Sequence, residues 1–297
     1  TTVVDDIVVE FGNSLYQDVM DRFVNGEDVS YAELSRVWQN TTQAHAIWDR
    51  PIYEEFFRAV RDINSTLPKD GRLRVLLGDA PIDWDEVRTL EDIRKVGRSD
   101  SIPAGIIQRE VVAKGRRALI IYGDMHYVRR NMYWRMQDED AAEKRFAAPV
   151  DSIVANLERA GIKVFSIRTT FADLTPLQAD IESWQAPKLA VVGGTTLGLT
   201  SFRFFYPHDI QIRRADNTWE KVSSDPDRSP LMQEQYDAIL YLGPESSITY
   251  SKLDPTLCQS ADYMEMRLRR TQIAAGPNKD WSGEELRGYC AEVSSAH

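Results

Sequence analysis

The chain contains an apolar run that stops at a glycine and is followed at once by ionisable side chains. Residues 118–122 read Ala-Leu-Ile-Ile-Tyr, Gly123 interrupts the run, and Asp124 and His126 come directly after it. A short apolar run that ends at a glycine is typical of a buried strand, and open α/β sheets present reactive groups at the carboxyl ends of such strands. The segment therefore predicts a strand that brings a carboxylate and an imidazole to the rim of a cleft.

Three further apolar runs of strand length end on charged residues in the same way. Glu10, Asp79 and Arg168 each occupy such a position. Because the carboxyl ends of parallel strands meet at one edge of a sheet, we expect these side chains to converge with Asp124 and His126 on a single site.

Strand-like and helix-like segments alternate along the chain. The predicted strands are Ile7–Glu10, Leu73–Leu77, Ala118–Tyr122, Lys163–Ile167, Lys188–Val192 and Tyr236–Leu242. The predicted helices are Leu15–Val24, Tyr31–Asn40, a segment that begins at Pro51, Ile102–Lys114, Val150–Ala160, Leu174–Trp184 and Ala261–Gln272, and a hairpin is expected around Asp216-Asn217. The tail from Pro277 is polar, and neither a helix nor a strand is predicted there.

This alternation predicts an α/β fold with a mainly parallel central sheet, helices on both faces and a helical insertion after strand 1. No linker rich in proline, glycine or serine divides the 297 residues. We therefore expect one domain that covers residues 1–297.

Composition narrows the class of partner. The formal net charge is −10 and the pI is about 5.0, which argues against a nucleic acid or an anionic membrane surface as partner. The longest apolar runs have the length of strands, far below the roughly 18–20 residues needed to cross a bilayer. A small-molecule substrate or ligand is the expected partner, and the oligomeric state is not predicted.

Cys258 and Cys290 are the only cysteines, and no CxxC motif occurs, so a four-thiolate zinc site is excluded. The two could form a disulfide, which would imply an oxidising compartment, or remain two unrelated thiols. The chain begins at Thr1 rather than at a methionine, which indicates that an upstream segment was removed. Together these features favour export to the periplasm or the extracellular space.

Each candidate site residue has a functional and a structural interpretation. His126 could be a general base or a metal ligand, or a loop histidine bonded to backbone. Glu10 could orient a water, polarise a histidine or bind a metal, or it could form an ion pair with an arginine such as Arg168. Asp79 and Asp124 would add oxygens for acid–base chemistry or for ligand binding.

Aromatic and basic residues near the same loop suggest ligand binding. Tyr122 and Tyr127 could stack on a flat ligand, although core packing is the alternative. Arg129 could hold an anionic group, or it could lie at a solvated helix start. The chain has no GxSxG elbow, Walker A loop or HExxH motif, which argues against a serine nucleophile and against nucleotide binding.

In order and spacing, four segments of the chain resemble the erythromycin esterase-like superfamily, which also includes ChaN-like haem-binding lipoproteins and Tiki-type metal-dependent proteases. The segments are Ile7–Glu10, Ala118–His126, Ser152–Thr169 and Tyr236–Gly243. Gly123-Asp-Met-His126 is nearer to the Gly-Asn-x-His form of the ChaN-like branch than to the His-Asn-x-His form of the esterases. The family's Gly-Glu-x-x-His-Gly motif precedes the Glu10 strand and does not occur in this chain. Either that motif lies in a removed segment, or the protein lacks the corresponding base.

The resemblance implies a hydrolase that activates water without a covalent intermediate. Glu10 would orient or deprotonate the water, His126 would act as base or oxyanion partner, and Asp124 and Arg168 would support them. If a divalent metal takes part, Glu10, Asp124 and His126 would be its ligands.

Two other functions remain open. The first is a ChaN-like protein that binds haem or another flat ligand over Tyr122, Tyr127 and the aromatic cluster Phe202–Tyr206. The second is an interaction or structural protein that keeps the sheet and has lost the site.

Overall fold

The computed structural model describes residues 3–97, 99–130, 151–170, 181, 183–202, 210–213, 219–222, 230–276 and 282–295. The chain forms two compact units. Unit 1 comprises Thr1–Tyr122 and Thr249–His297, and unit 2 comprises Gly123–Ile248. Each unit has its own sheet. The prediction of one domain over residues 1–297 stays a prediction.

The fold is mixed α/β, as predicted. The strands are β1 Asp6–Asn13, β2 Arg74–Asp79, β3 Ala118–Ile121, β4 Ile167–Thr170, β5 Lys188–Val191, β6 Ile210–Arg213, β7 Trp219–Val222 and β8 Ala238–Tyr241. The helices of unit 1 are α1 Gln17–Val24, α2 Tyr31–Leu34, α3 Arg36–Gln39, α4 Pro51–Ser65, α5 Leu90–Val96, α6 Ser101–Glu110, α9 Pro255–Gln259, α10 Ala261–Ala275 and α11 Gly283–Ser295; those of unit 2 are α7 Ile153–Arg159 and α8 Met232–Gln235.

The sheet of unit 1 is parallel and has the strand order β2-β1-β3. Val9 of β1 pairs with Leu77 of β2 and with Ile121 of β3, so the central positions of the three strands are in register. Helices α1 to α4 lie between β1 and β2 in the chain, which confirms the predicted helical insertion. The three strands run in one direction, so their carboxyl ends lie at one edge of the sheet.

Both faces of β1 and β2 are buried, which explains their nearly continuous apolar sequences. Side chains on successive strand residues point to opposite faces. Val9 and Leu77 pack with Phe57 of α4 in the main core, and Val8 and Leu76 on the other face are at most 1% exposed.

A bulge interrupts the pairing of β1 with β2. The register moves from Val9 opposite Leu77 to Asn13 opposite Asp79, so that residues 10–12 of β1 lie opposite Gly78 alone. Bulges bend a strand and redirect side chains, and they are common next to active sites. Glu10 is the first residue of this bulge.

Unit 2 has a mixed sheet of order β4-β8-β5, in which β4 is parallel and β5 antiparallel to β8. Strands β6 and β7 pair as an antiparallel hairpin on either side of residues 214–218, which confirms the predicted hairpin. The core of unit 2 includes Phe202, Tyr236, Ile239 and Tyr241.

The last helices of unit 1 are fixed by a disulfide and by a buried ion pair. Cys258 of α9 and Cys290 of α11 are bonded, with their Cα atoms 6.0 Å apart. Arg267 of α10 donates to Asp49 Oδ1 over 2.6 Å, and Tyr263 donates to the same carboxylate. Both members of the ion pair have almost no exposed side-chain surface.

Three sequence predictions differ from the structure. The strand predicted at Lys163–Ile167 is found as β4 at Ile167–Thr170. Its pairing with β8 begins only at Ser166, whose carbonyl oxygen accepts hydrogen bonds from the backbone N of Asp237 and of Ala238. Predicted helix Tyr31–Asn40 is two short helices joined at Ser35, a residue type with modest helix propensity. The polar tail contains α11, whose Leu286 and Cys290 are one helical turn apart and buried. The predicted helix Leu174–Trp184 falls mostly outside the described residues.

Candidate functional site

Glu10 is the one partly exposed residue in a strand that is otherwise buried. The sequence places it at a strand end, whereas in the structure it lies inside β1, where the bulge begins. A carboxylate in such a strand must reach solvent or a polar partner, because an isolated buried charge costs several kcal/mol. Glu10 is thus a partly exposed residue near the carboxyl ends of the parallel strands of unit 1.

Tyr53, in the first turn of α4, packs against Phe11, the residue that follows Glu10 in β1. Its ring centroid is 4.8 Å from that of Phe11 and 5.0 Å from that of Trp48. Burial is the main reason why the pKa of Tyr53 is raised; Glu10 raises it further, and Arg50 opposes both. The phenol therefore stays protonated at neutral pH and can donate a hydrogen bond.

Tyr122 follows β3, and its side chain reaches across the sheet to β2. Its hydroxyl occupies the place where a Cβ of residue 78 would be, and such a Cβ would also lie 2.9 Å from the carbonyl oxygen of Val9. Since β1 lies between β3 and β2, the Tyr122 side chain must pass over β1. Only glycine fits at position 78, which fixes Tyr122 at the edge of the sheet that carries Glu10.

Asp79, at the end of β2, holds a neighbouring loop. Its two carboxylate oxygens accept hydrogen bonds from the backbone N and the hydroxyl of Thr42, each over 2.6 Å. The buried side chain of Asn13 donates nearby to the carbonyl oxygens of Asn40 and Ile82. These bonds give Asp79 an anchoring function, and its predicted binding function stays a prediction.

In unit 2, Asp124 and Arg168 form an ion pair. Arg168 Nη2 lies 3.4 Å from Asp124 Oδ2, and the guanidinium carbon is 5.1 Å from the centroid of the Phe202 ring. The hydroxyl of Tyr236 donates to the carbonyl oxygen of Asp124 over 2.8 Å. The structure thus brings together two residues that the sequence assigned to one site, and it holds the arginine between a carboxylate and aromatic rings.

His126 lies in a short 3-10 turn that covers Asp124–Tyr127. Its backbone N donates to the carbonyl oxygen of Gly123 over 3.1 Å, and the residue is partly buried. Tyr127 packs against the core of unit 2. The prediction that His126 serves the same reaction as Glu10 stays a prediction.

Arg129 links the end of this turn to β8. It donates to Glu158 over 2.8 Å and to Asp237 over 2.6 Å. Burial lowers the pKa of Arg129, but the bonds to Asp237 and Glu158 outweigh burial, and the pKa is raised. Two carboxylates thus neutralise the charge of the guanidinium. Arg129 and Lys163 both line a shallow groove. Its predicted binding of an anion stays a prediction.

No sequence pattern links Tyr53 to Glu10. Asp49-Arg-Pro51 predicts only the start of a helix. The contact of Tyr53 with Phe11 depends on the packing of α4 beside β1.

The aromatic cluster of the flat-ligand hypothesis is only partly described. Phe202 is 1% exposed and packs against Tyr236, with ring centroids 5.6 Å apart. Phe204, Phe205 and Tyr206 lie outside the described residues.

Within the described ranges, no group of three or more histidine, cysteine, aspartate or glutamate side chains is arranged to hold a metal ion. Glu10, Asp124 and His126 all belong to those ranges. Glu10 belongs to unit 1, whereas Asp124 and His126 belong to unit 2. The prediction that the three residues bind a divalent metal stays a prediction.

Comparison with known protein families, curated proteins and solved structures gives no match. Among the helices in the described part of the chain, none combines the length and the apolar composition needed to cross a membrane.

Proposed function

We propose that the chain is a hydrolase that activates water for attack on an ester-like small molecule. The observation that carries the proposal is the partly exposed Glu10 in a bulge of an otherwise buried strand. The phenol of Tyr53 packs against Phe11, the next residue of that bulge. A carboxylate can act as the general base, and a neutral hydrogen-bond donor can stabilise the oxyanion that forms. The erythromycin esterase-like resemblance suggested the same use of Glu10.

In the proposed reaction, Glu10 accepts a proton from water while the water oxygen bonds to the acyl carbon. The carbonyl oxygen becomes an oxyanion, which the hydroxyl of Tyr53 stabilises by donating a hydrogen bond. The erythromycin esterase-like resemblance gives His126 as the alternative donor. The bond to the leaving oxygen then breaks, and Glu10 returns the proton to that oxygen. An acid and an alcohol leave, and no covalent enzyme intermediate forms.

Asp124 and Arg168 complete the proposal as supporting residues. Their ion pair holds the start of the turn that carries His126. Positioning of this kind restricts the imidazole to a few orientations, which is how a residue without contact to substrate contributes to a rate.

A panel of activated esters tests the proposal, with 4-nitrophenyl acetate and 4-nitrophenyl butyrate as first members. We expect turnover by the wild type and its loss in Glu10→Gln and His126→Ala. Glu55→Gln is the matched control, because Glu55 is an exposed residue of α4. A folded chain that turns over no ester would contradict the proposal. A Soret band on addition of haem would then favour the flat-ligand alternative.

We further propose that the protein is exported to the periplasm or the extracellular space. The disulfide between Cys258 and Cys290 supports this, since disulfides persist mainly in oxidising compartments. Fractionation of the native cells, with detection of the chain in each fraction, is the test. Recovery in the reducing cytosol alone would contradict export.

A further inference from the structure

Strand β5 forms an edge of the sheet in unit 2. In the part of the chain that the structure describes, β5 pairs with β8 alone. The backbone N of Val192 donates to the carbonyl oxygen of Asp237, so these two residues are a hydrogen-bonded pair of the ladder. Hydrogen-bonded and non-hydrogen-bonded pairs alternate in antiparallel strands. Ala190 therefore also bonds to β8, whereas the backbone groups of Leu189 and Val191 point away from it.

These outward-facing backbone groups are unpaired. The N–H and C=O groups of Leu189 and Val191 have no hydrogen-bond partner among the described residues. Their side chains are 54% and 62% exposed and lie on the same face of the sheet as Leu240, which is opposite Leu189 in β8. An aliphatic edge strand with unpaired backbone groups is a template for the addition of another strand.

The edge strand β2 of unit 1 is different, because the side chain of Gln17 covers part of its outer edge. Gln17 Nε2 donates to the carbonyl oxygen of Val75 over 2.8 Å, and Gln17 Oε1 accepts a hydrogen bond of 2.9 Å from the backbone N of Leu77. Natural sheets usually protect their edges by such cover or by charges. In β5 the only charged residue is Lys188, at the first position of the strand.

We propose that β5 pairs in antiparallel orientation with β5 of a second copy of the chain, about a two-fold axis perpendicular to the sheet. The two sheets then form one continuous sheet. With the axis at Ala190, Leu189 lies opposite Val191 of the partner subunit, and Val191 lies opposite Leu189 of the partner subunit. The outward N–H and C=O groups of both residues then gain partners in each copy.

The sequence of β5 favours this register. Pro187 precedes the strand and has no N–H, so it cannot donate to a partner strand. A shift that placed Leu189 opposite itself would put Val191 opposite Pro187 and lose that hydrogen bond. In the proposed register Lys188 lies opposite Val192 of the partner subunit, so no like charges face each other. The strand is thus complementary to itself, which favours a second copy over an unrelated extended segment.

The contact is small, so the dimer should be weak. Two strands of four residues cover much less than the about 800 Å² per partner of a standard interface. The net charge of −10 on each copy also opposes association. We therefore expect a dissociation constant of about 10–100 µM at about 0.15 M salt, where much of the repulsion is screened.

Sedimentation equilibrium of the wild-type chain tests the inference, at protein concentrations from about 1 to 300 µM and at about 0.15 M salt. We expect the mass to rise from that of the monomer, 33.9 kDa, towards twice that value. A monomer at every concentration would overturn the inference. An assembly larger than a dimer would also overturn it, because a two-fold pairing of β5 is closed.

Charged variants of β5 test the register. Leu189→Glu with Val191→Glu places like charges opposite each other in the dimer, and so does Leu189→Lys with Val191→Lys. We expect each double variant to raise the dissociation constant at least about tenfold. An equimolar mixture of the two should form a heterodimer, since each glutamate then faces a lysine. Self-association of either variant as in the wild type, or no association of the mixture, would overturn the inference.

Ile167→Glu with Thr169→Glu is the matched control. Both residues are exposed on the same face of the sheet, but they belong to β4, on the other side of β8. The variant adds the same charge and should dimerise as the wild type does. Loss of the dimer in this variant would overturn the inference, because the contact would then involve the face of the sheet rather than the edge at β5.

Hydrogen exchange of the wild type decides the question if a variant does not fold. The amides of Leu189 and Val191 are unpaired in the monomer and hydrogen-bonded in the proposed dimer. Their exchange should therefore slow about threefold or more between the lowest and the highest concentration, whereas the amide of Ala190 should not change. Exchange at Leu189 and Val191 that is independent of concentration would overturn the inference.

Discussion

Tyr53 packs against Phe11, with ring centroids 4.8 Å apart, and burial raises the pKa of the Tyr53 phenol. This relationship joins α4 to the bulge in β1, two elements about forty residues apart in the chain. Because Phe11 follows Glu10 in the bulge, the contact brings a neutral phenol to the segment of β1 that carries the proposed base.

Tyr53→Phe removes that donor and keeps the ring. We expect a decrease in kcat of about 100-fold for activated esters, because one donor to an oxyanion typically contributes that much. The folded structure should persist, since the ring contacts with Phe11 and Trp48 remain. Tyr31→Phe, at a largely exposed tyrosine, is the control. Wild-type kcat in Tyr53→Phe would show that another group donates.

Asp49→Asn tests the buried ion pair with Arg267. We expect the free energy of unfolding to fall by about 3–5 kcal/mol, because the guanidinium stays buried without its counter-charge. Asp85→Asn is the control, since Asp85 is 82% exposed and 3.8 Å from Arg36. That variant should change the free energy by about 0–1 kcal/mol. Urea denaturation measures both, and equal effects would contradict a special contribution of the buried pair.

Removal of the disulfide should destabilise the protein without changing its fold. The bond closes a loop between residues 32 positions apart, and Cys258→Ser with Cys290→Ser should lower the free energy of unfolding by about 2–4 kcal/mol. Reduction of the wild type by dithiothreitol should give the same urea midpoint as the double variant. A midpoint equal to that of the oxidised wild type would contradict this prediction.

The ion pairs of Glu110 predict a pH dependence of stability. Lys114, Arg109 and Arg74 lower the pKa of Glu110 to about 2. A carboxyl with a lowered folded pKa stabilises the protein above its unfolded pKa of about 4.3, and that contribution is lost as the pH falls through the folded value.

Glu110→Gln should therefore be less stable than the wild type by about 0.5–1 kcal/mol at pH 6. The difference should shrink as the pH is lowered from about 4.5 towards 2. Urea denaturation of both proteins across this range is the measurement. A difference that stays constant with pH would contradict the assigned pKa.

Local sequence patterns were sufficient for the elements that frame the site. Strands β1 and β2 are buried on both faces, and the apolar run of β3 ends at a glycine. Their composition alone therefore predicts strands. Asp124 and Arg168, both assigned to one site from the sequence, form an ion pair, whereas the predicted convergence of the other strand-end charges stays a prediction.

Other features depend on tertiary contacts that no local pattern encodes. The bulge at residues 10–12 is defined by the register of β1 against β2, and a register is set by pairing rather than by composition. Tyr53 joins the candidate site only because α4 packs beside β1. The helix α11 was missed because few of its residues are buried.

A double-mutant cycle of ester hydrolysis is the most direct test of the proposal that Glu10 activates water in a reaction in which His126 also takes part. The values of kcat/KM are compared for the wild type, Glu10→Gln, His126→Ala and the double variant. We expect each single change to lower kcat/KM about 100-fold or more, and the double variant to be little slower than either, because residues that act as a unit are not additive. Wild-type rates in the Glu10→Gln variant, or losses that multiply in the double variant, would contradict the mechanism.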